Sequence, residues 1–213
     1  NRLLAEQLKK IRKKVVTVDF NIHRSASVSI DNKAGAYEVA KLAIQSELDQ
    51  VAILGLRLLD THLTCRVYDI HSMEIDTSVA HQRLQGYLDA IGDTGVKLGD
   101  DRIWNIPESN ADFATIAAKE ALNCVPRPNV FLCMSDLIAL SLMREAIQQG
   151  LRIPQDVRVV GFDGIDEGTR AIPPLTTVFQ YSEQKGRKAA EMFIADAHHA
   201  EVLGYELSRG GSC

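Results

Sequence analysis

The sequence predicts an α/β protein built on parallel sheets, and three observations predict it. Short apolar, β-branched runs alternate with helical patterns along the chain. Several runs end on a carboxylate, as in Val16-Thr17-Val18-Asp19, Ile30-Asp31 and Phe162-Asp163. The stretch Asn129 to Gln180 reads as one βαβ unit: the run Val130–Met134, a helix closing at Gly150, then the run Val157–Phe162. Asp136 and Asp163 therefore leave the carboxyl ends of two successive strands, the edge at which open α/β sheets bind small ligands.

The elements follow in order. Leu4, Leu8, Ile11 and Val15 recur at helical spacing and predict a helix over residues 2–13. Its basic run, Lys9, Lys10, Arg12, Lys13 and Lys14, suits the helix C-terminal dipole; a phosphate-contacting patch is the other reading. Val15–Val18 and Ser27–Ile30 are short strands, and residues 33–48 form a helix rich in Ala, Val and Leu. Val51–Leu56 is a buried strand. Residues 57–77 are long and polar, with Cys65–Ile70 as an edge strand. A helix over 78–93 stops near Gly95. Ile103–Ile106 is a strand, and Ser109 or Asn110 caps a helix that runs to about Asn123. Pro126 and Pro128 force an extended approach to the next strand. After Asp163 come a short helix broken at Pro173-Pro174, a strand Thr176–Phe179, a helix 182–198 and a closing strand 202–208.

Composition narrows the class. The 213 residues, 46% hydrophobic and 24% charged, suit a soluble protein of one large domain or two small ones. A net charge of −4 gives no general attraction to nucleic acid or acidic membranes. Cys65, Cys124, Cys133 and Cys213 show no CxxC spacing, which favours a reduced, cytoplasmic protein. No apolar run nears the ~20 residues that span a bilayer, so no membrane partner is expected. The chain opens at Asn1 inside a helical pattern, and a segment before it is expected. The six histidines lack HExxH spacing, and His198-His199 reads as a solvated pair. No GxSxG elbow, Walker A loop or GxGxxG turn is present. Asp136 and Asp163 as an acid/base pair would need a defined separation and lack an evident partner. No enzyme, cofactor or metal is expected.

Several segments taken together match a family pattern. Ser135-Asp136-Leu137-Ile138-Ala139, the helix closing at Gly150-Leu151-Arg152-Ile153-Pro154, and Val160-Gly161-Phe162-Asp163 before Pro174-Leu175-Thr176-Thr177-Val178 carry it. Val16-Thr17-Val18-Asp19, Ile30-Asp31-Asn32, Arg83-Leu84-Gln85-Gly86-Tyr87 and Glu206-Leu207 with Arg209 extend it over nearly the whole chain. In this the chain resembles the LacI/GalR (lactose/galactose repressor) family of bacterial regulators. The resemblance implies a periplasmic-binding-protein-like type I fold: two doubly wound parallel-sheet subdomains, three crossovers and an effector cleft between them. It implies an N-terminal subdomain, incomplete here, from residues 1–31 and 165–200, and a C-terminal one from 32–164 and 201–213. The family's helix-turn-helix headpiece is absent from these residues, and the loop 57–77 departs from the family pattern.

The function so implied is the effector-binding and dimerisation domain of a DNA-binding transcriptional repressor. Its partners would be a small sugar-like or nucleobase effector, operator DNA through the missing headpiece, and a second copy of the chain. A periplasmic sugar-binding protein of a transport system shares the fold and is the alternative. The family pattern places effector contacts on Asp136 and Arg83. On position alone Asp136 reads equally as a helix N-cap. Arg83 opens a helix, where its charge opposes the dipole; a polar ligand or an ion pair would offset that. Asp19 and Phe20 resemble cleft-lining positions, or a turn carboxylate beside a core aromatic. Asp163 sits at a crossover, with a hinge role first and ligand contact second. Trp104 would stack on a ligand or be core, and Arg57 would reach the cleft from the Val51 strand. On a helical wheel Leu137 and Ile138 fall outside the apolar arc of Leu140, Leu142, Met143, Ala146 and Ile147, which marks them as a homodimer surface.

Overall fold

The computed structural model describes residues 7–8, 13–20, 25–68, 70 and 78–213, so most of the helix expected over 2–13 lies outside the described residues. Ten strands and six longer or shorter α-helices follow in the described chain. They are β1 (Val16–Val18), β2 (Ala26–Ile30), α1 (Asn32–Ala43), β3 (Val51–Leu56), β4 (Cys65–Arg66) and α2 (Val79–Thr94). Then come β5 (Ile103–Ile106), α3 (Ala111–Leu122), β6 (Val130–Cys133), α4 (Asp136–Gln148), β7 (Arg158–Asp163) and α5 (Asp166–Arg170). The chain closes with β8 (Thr176–Phe179), α6 (Ser182–Ile194), β9 (Ala200–Leu203) and β10 (Glu206–Ser208).

The strands make two sheets. Seven form the order β10-β8-β7-β6-β3-β5-β4, parallel except for the edge strands β10 and β4. Three form an all-parallel sheet, β1-β2-β9. The large sheet is doubly wound because its central strands are apolar on both faces. Val51, Ile53, Val130, Leu132, Val160 and Phe162 bury against α1 and α2. Ala52, Leu54, Phe131, Cys133 and Val159 alternate with them and bury against α3 and α4. Among the described residues α6 covers the small sheet: Ala26 and Val28 pack on its Met192 and Ala189.

Helix ends follow the local chemistry. Asp31, Ser78, Asn110 and Ser135 cap α1, α2, α3 and α4 by accepting from a backbone N–H three residues on. Gly95 ends α2 in the left-handed conformation at φ 74°, which glycine adopts without steric cost. Gly86 is needed for another reason. A Cβ there would stand 2.2 Å from the Lys33 carbonyl oxygen, so its absence lets α2 lie directly on α1.

The chain passes between the sheets at Asp31, at Gln180–Tyr181 and at Gly204–Tyr205. The last two passages correct the expected boundaries. Residues 165–179 stay with the large unit, because β8 pairs with β7 along Val160–Asp163. The closing strand expected over 202–208 is two strands: β9 joins β2 in the small sheet and β10 joins β8 in the large one. An apolar run shows that a strand exists, but not which sheet takes it.

Candidate functional site

The carboxyl ends of β1, β6 and β7 meet the two passages around residues 31 and 180, and there a line of polar side chains joins the two sheets. Asn32 and Arg83 begin it. Arg83 lies in the second turn of α2, not its opening, and is 6% exposed. Its Nε donates to Asn32 Oδ1 (3.0 Å), and its Nη1 donates to Met134 O (2.6 Å) and Asp163 Oδ1 (3.3 Å). The guanidinium stacks 3.6 Å from the centre of the Phe162 ring, a cation–π arrangement. Asp163 Oδ1 also accepts from Gln180 Nε2 (2.9 Å), whose Oε1 accepts from Lys185 Nζ (2.7 Å). Lys185 Nζ then donates to Asp19 Oδ2 at the end of β1. Lys185 is 1% exposed, so its ammonium is held by these partners rather than by water.

The electrostatics of this line centre on Asp163. Burial pushes its carboxyl up to about 6; the Asp136 charge adds to the rise, while Arg83 and Lys185 oppose it. Its backbone is unusual as well, at φ 130°, a region that side chains with a Cβ rarely adopt. Asp19 is also left-handed, at φ 54°, and its Oδ1 is buried without a hydrogen-bond partner among the described residues.

Asp136 turns out to be an internal clasp. It is fully buried, and Ser135, not Asp136, caps α4. Its Oδ2 accepts from the backbone N–H of Gly164 (2.7 Å) and Ile165 (2.9 Å), and its Oδ1 accepts from Thr177 Oγ1. Burial raises its pKa against those three donors. Gly161 makes room for it, since a Cβ there would stand 2.2 Å from Asp136 Oδ1. The segments Ser135-Asp136, Gly161-Phe162-Asp163-Gly164 and Thr176-Thr177 are thus one structural knot that fixes the β7–α5 turn.

The remaining expected site residues scatter. Phe20 follows Asp19 and is half-buried. Arg57 is exposed at the end of β3, two strands from β7, and donates from Nε to Pro107 O (3.3 Å). Trp104 is a correction. It is the second residue of β5, below the rim, fully buried against α3 with its Nε1 donating to Glu120 (3.0 Å) and Arg66 on its face. Ile138 is a second correction. It is fully buried in the core between the large sheet and α3, so it cannot present a dimer surface. The helical wheel assumed one buried face, whereas α4 is enclosed on two. Leu137 stays half-buried on the outer ridge with Leu140, beside the exposed Ile147. Gln180 and Lys185 went unnoticed in the sequence, because nothing in a polar stretch distinguishes a buried Gln or Lys from a solvated one.

A shallow groove of about 680 Å³ lies elsewhere, between α1 and α2, lined by residues such as Lys33, Tyr37, Leu88 and Asp93. Its polar side chains are already engaged: Lys33 with Asp89 (2.7 Å), Tyr37 with Asp93 (2.9 Å), Glu38 with Tyr205 (2.9 Å) and Asp31 with the Ala34 N–H (2.9 Å).

Comparison with known proteins agrees with this architecture. A profile for the periplasmic binding protein-like domain matches residues 64–213. The HTH-type transcriptional repressor PurR of Vibrio vulnificus is 30% identical over 176 residues, covering 81% of this chain and 47% of the relative. The ribose operon repressor of Haemophilus influenzae is 37% identical over 119 residues, covering 55% of this chain and 35% of the relative. The chain thus spans half or less of the length of these relatives. The solved structure of a putative LacI transcriptional regulator from Bacillus cereus subsp. cytotoxis superposes with a TM-score of 0.82 at 22% identity, over 100% of this chain and 72% of that one, a likeness of fold. With two parallel-stranded sheets, three passages between them and a matching profile over most of its residues, the chain belongs to the periplasmic binding protein-like domain family.

Proposed function

We propose that the chain is the effector-binding and dimerisation part of a bacterial, cytoplasmic transcriptional repressor. Its effector is a small polar molecule that offers hydrogen-bond donors, such as a sugar or a nucleobase. One observation carries the reading. At the junction of the two sheets Asp19 keeps a buried carboxylate oxygen with no donor among the described residues, while its other oxygen is fixed by Lys185. A buried acceptor without a partner is costly, and a hydroxyl or N–H of a ligand would offset that cost. Asp163, half-buried on the same line of contacts, supplies a second carboxylate, and Phe20 a neighbouring aromatic.

The similarity to the transcriptional repressor PurR and to the ribose operon repressor favours a regulator over a transport protein. In that role ligand binding changes the angle between the two units, and operator affinity is coupled to it as a linked equilibrium. DNA contact belongs to a headpiece outside these residues. Leu137, Leu140 and Ile147 form an apolar ridge on α4, interrupted by Arg144, and Ile116 is exposed on the adjoining α3. This ridge is the proposed homodimer surface.

Calorimetric titration with ribose, galactose, hypoxanthine and guanine tests the effector reading. Saturable binding of one of them, weakened about 10- to 100-fold by Asp19→Ala, is expected for a lost hydrogen bond to a charged group. Absence of binding to every sugar and nucleobase tried removes the reading.

A further inference from the structure

Lys185 has a role that the effector reading does not supply. It is a nearly buried cation on the helix that covers the small sheet, yet neither of its partners lies on that helix. Asp19 ends β1 of the small sheet; Gln180 follows β8 of the large sheet. We propose that Lys185 is a positioning residue that ties the two units at the mouth of the site, holding β1 through Asp19 and the end of β7 through Gln180 and Asp163. The tie stands whether or not an effector binds beside it, so its tests use no ligand.

The contacts support the tie in three ways. All the members are joined by direct hydrogen bonds, from Asn32 through Arg83, Asp163, Gln180 and Lys185 to Asp19. Its two ends belong to different units, Asn32 on the helix that packs on the large sheet and Asp19 after β1 of the small one, and it runs beside two of the three passages of the chain. Two of its members hold left-handed or otherwise rare backbone conformations, Asp19 at φ 54° and Asp163 at φ 130°, which persist only where surroundings enforce them. The charged groups acting on Asp163 come from every side: Arg83 of α2, Asp136 of α4 and Lys185 of α6. Lys185 and Arg83 favour the ionised carboxyl, and Asp136 disfavours it.

Removing the ammonium therefore has a signature that loss of packing alone lacks. In the 213-residue chain labelled with carbon-13, the Asp163 carboxyl should titrate near pH 6, and Lys185→Met should move that midpoint upward by half a unit or more. An unchanged or lowered midpoint overturns the tie. Gln180→Leu keeps the charge and breaks the line of contacts, and it serves should Lys185→Met fail to fold. Amide exchange at Thr17, Val18 and Val28 should then quicken at least tenfold while Ile53 and Leu132 keep their protection. Equal loss in both sheets, or no loss, overturns the tie.

Discussion

Neutralising Asp163 should stabilise this protein at neutral pH, against the usual expectation for removing an ion-paired carboxylate. The carboxyl rises from an ordinary 3.8 to about 6 because burial outweighs the attraction of Arg83 and Lys185. The sign is fixed by proton uptake. Between pH 4 and 6 the unfolded chain gives up this proton while the folded chain keeps it, so stability from this group falls as pH rises through that window. At about 1.4 kcal/mol per pKa unit, the full difference above pH 6 is about 3 kcal/mol. With 27% of the side chain exposed, solvent screening makes that an upper bound. Asp163→Asn mimics the protonated form. In urea unfolding at pH 7.5 the variant should exceed the parent by about 1–3 kcal/mol, and the gap should close towards zero at pH 4. Carboxylates held low, such as Asp156 at about 2 beside Arg152, weaken both proteins equally as pH falls and cancel in the difference. A variant less stable at pH 7.5, or a gap that does not vary with pH, would refute the reasoning.

Three further outcomes follow from the packing. Asp136→Ala should cost about 3 kcal/mol in urea unfolding, since it orphans the Gly164 and Ile165 N–H groups; Thr177→Val should cost about 1 kcal/mol, having removed one donor. An Asp136→Ala chain as stable as the parent would sink the clasp. Gly86→Ala should lower stability by about 1–3 kcal/mol, because the added methyl drives α2 off the Lys33 carbonyl; an unchanged melting temperature would show that the helices do not touch there. Leu137→Asp should shift sedimentation from dimer to monomer without changing the unfolding of the monomer, and a variant that stays dimeric places the interface elsewhere.

Much of the fold was legible in the sequence, for identifiable reasons. Val51–Leu56, Ile103–Ile106 and Thr176–Phe179 are strands with those bounds, because apolar runs buried on both faces end abruptly at polar or turn residues. Gly95 and Asn110 act at helix ends, where their backbone or side-chain chemistry is required, whereas the cap read as Asp136 is Ser135. The assignment of strands to sheets was not legible. β8 and β9 look alike as sequence, and only the pairing partners separate them. Within the site, Asp19, Arg83 and Asp163 do meet in one line of contacts. Asp136 was marked by its motif, but its partners are the backbone of a turn almost thirty residues later, which no local pattern reveals. Of the two readings of Trp104, the core one is the outcome, because its ring packs against α3 from the second position of β5. Ile138 was misplaced because a wheel cannot register a helix packed on two sides.

The central claim is that a small donor-bearing molecule binds where the two sheets join. Its most direct test is amide shift mapping of the isotope-labelled chain during titration with sugars and nucleobases. The account predicts saturable shifts concentrated at Asp19, Phe20, Asp163, Gln180 and Lys185. Shifts gathered instead around Tyr37, Leu88 and Asp93 in the groove between α1 and α2, or no saturable shift with any compound, would contradict it.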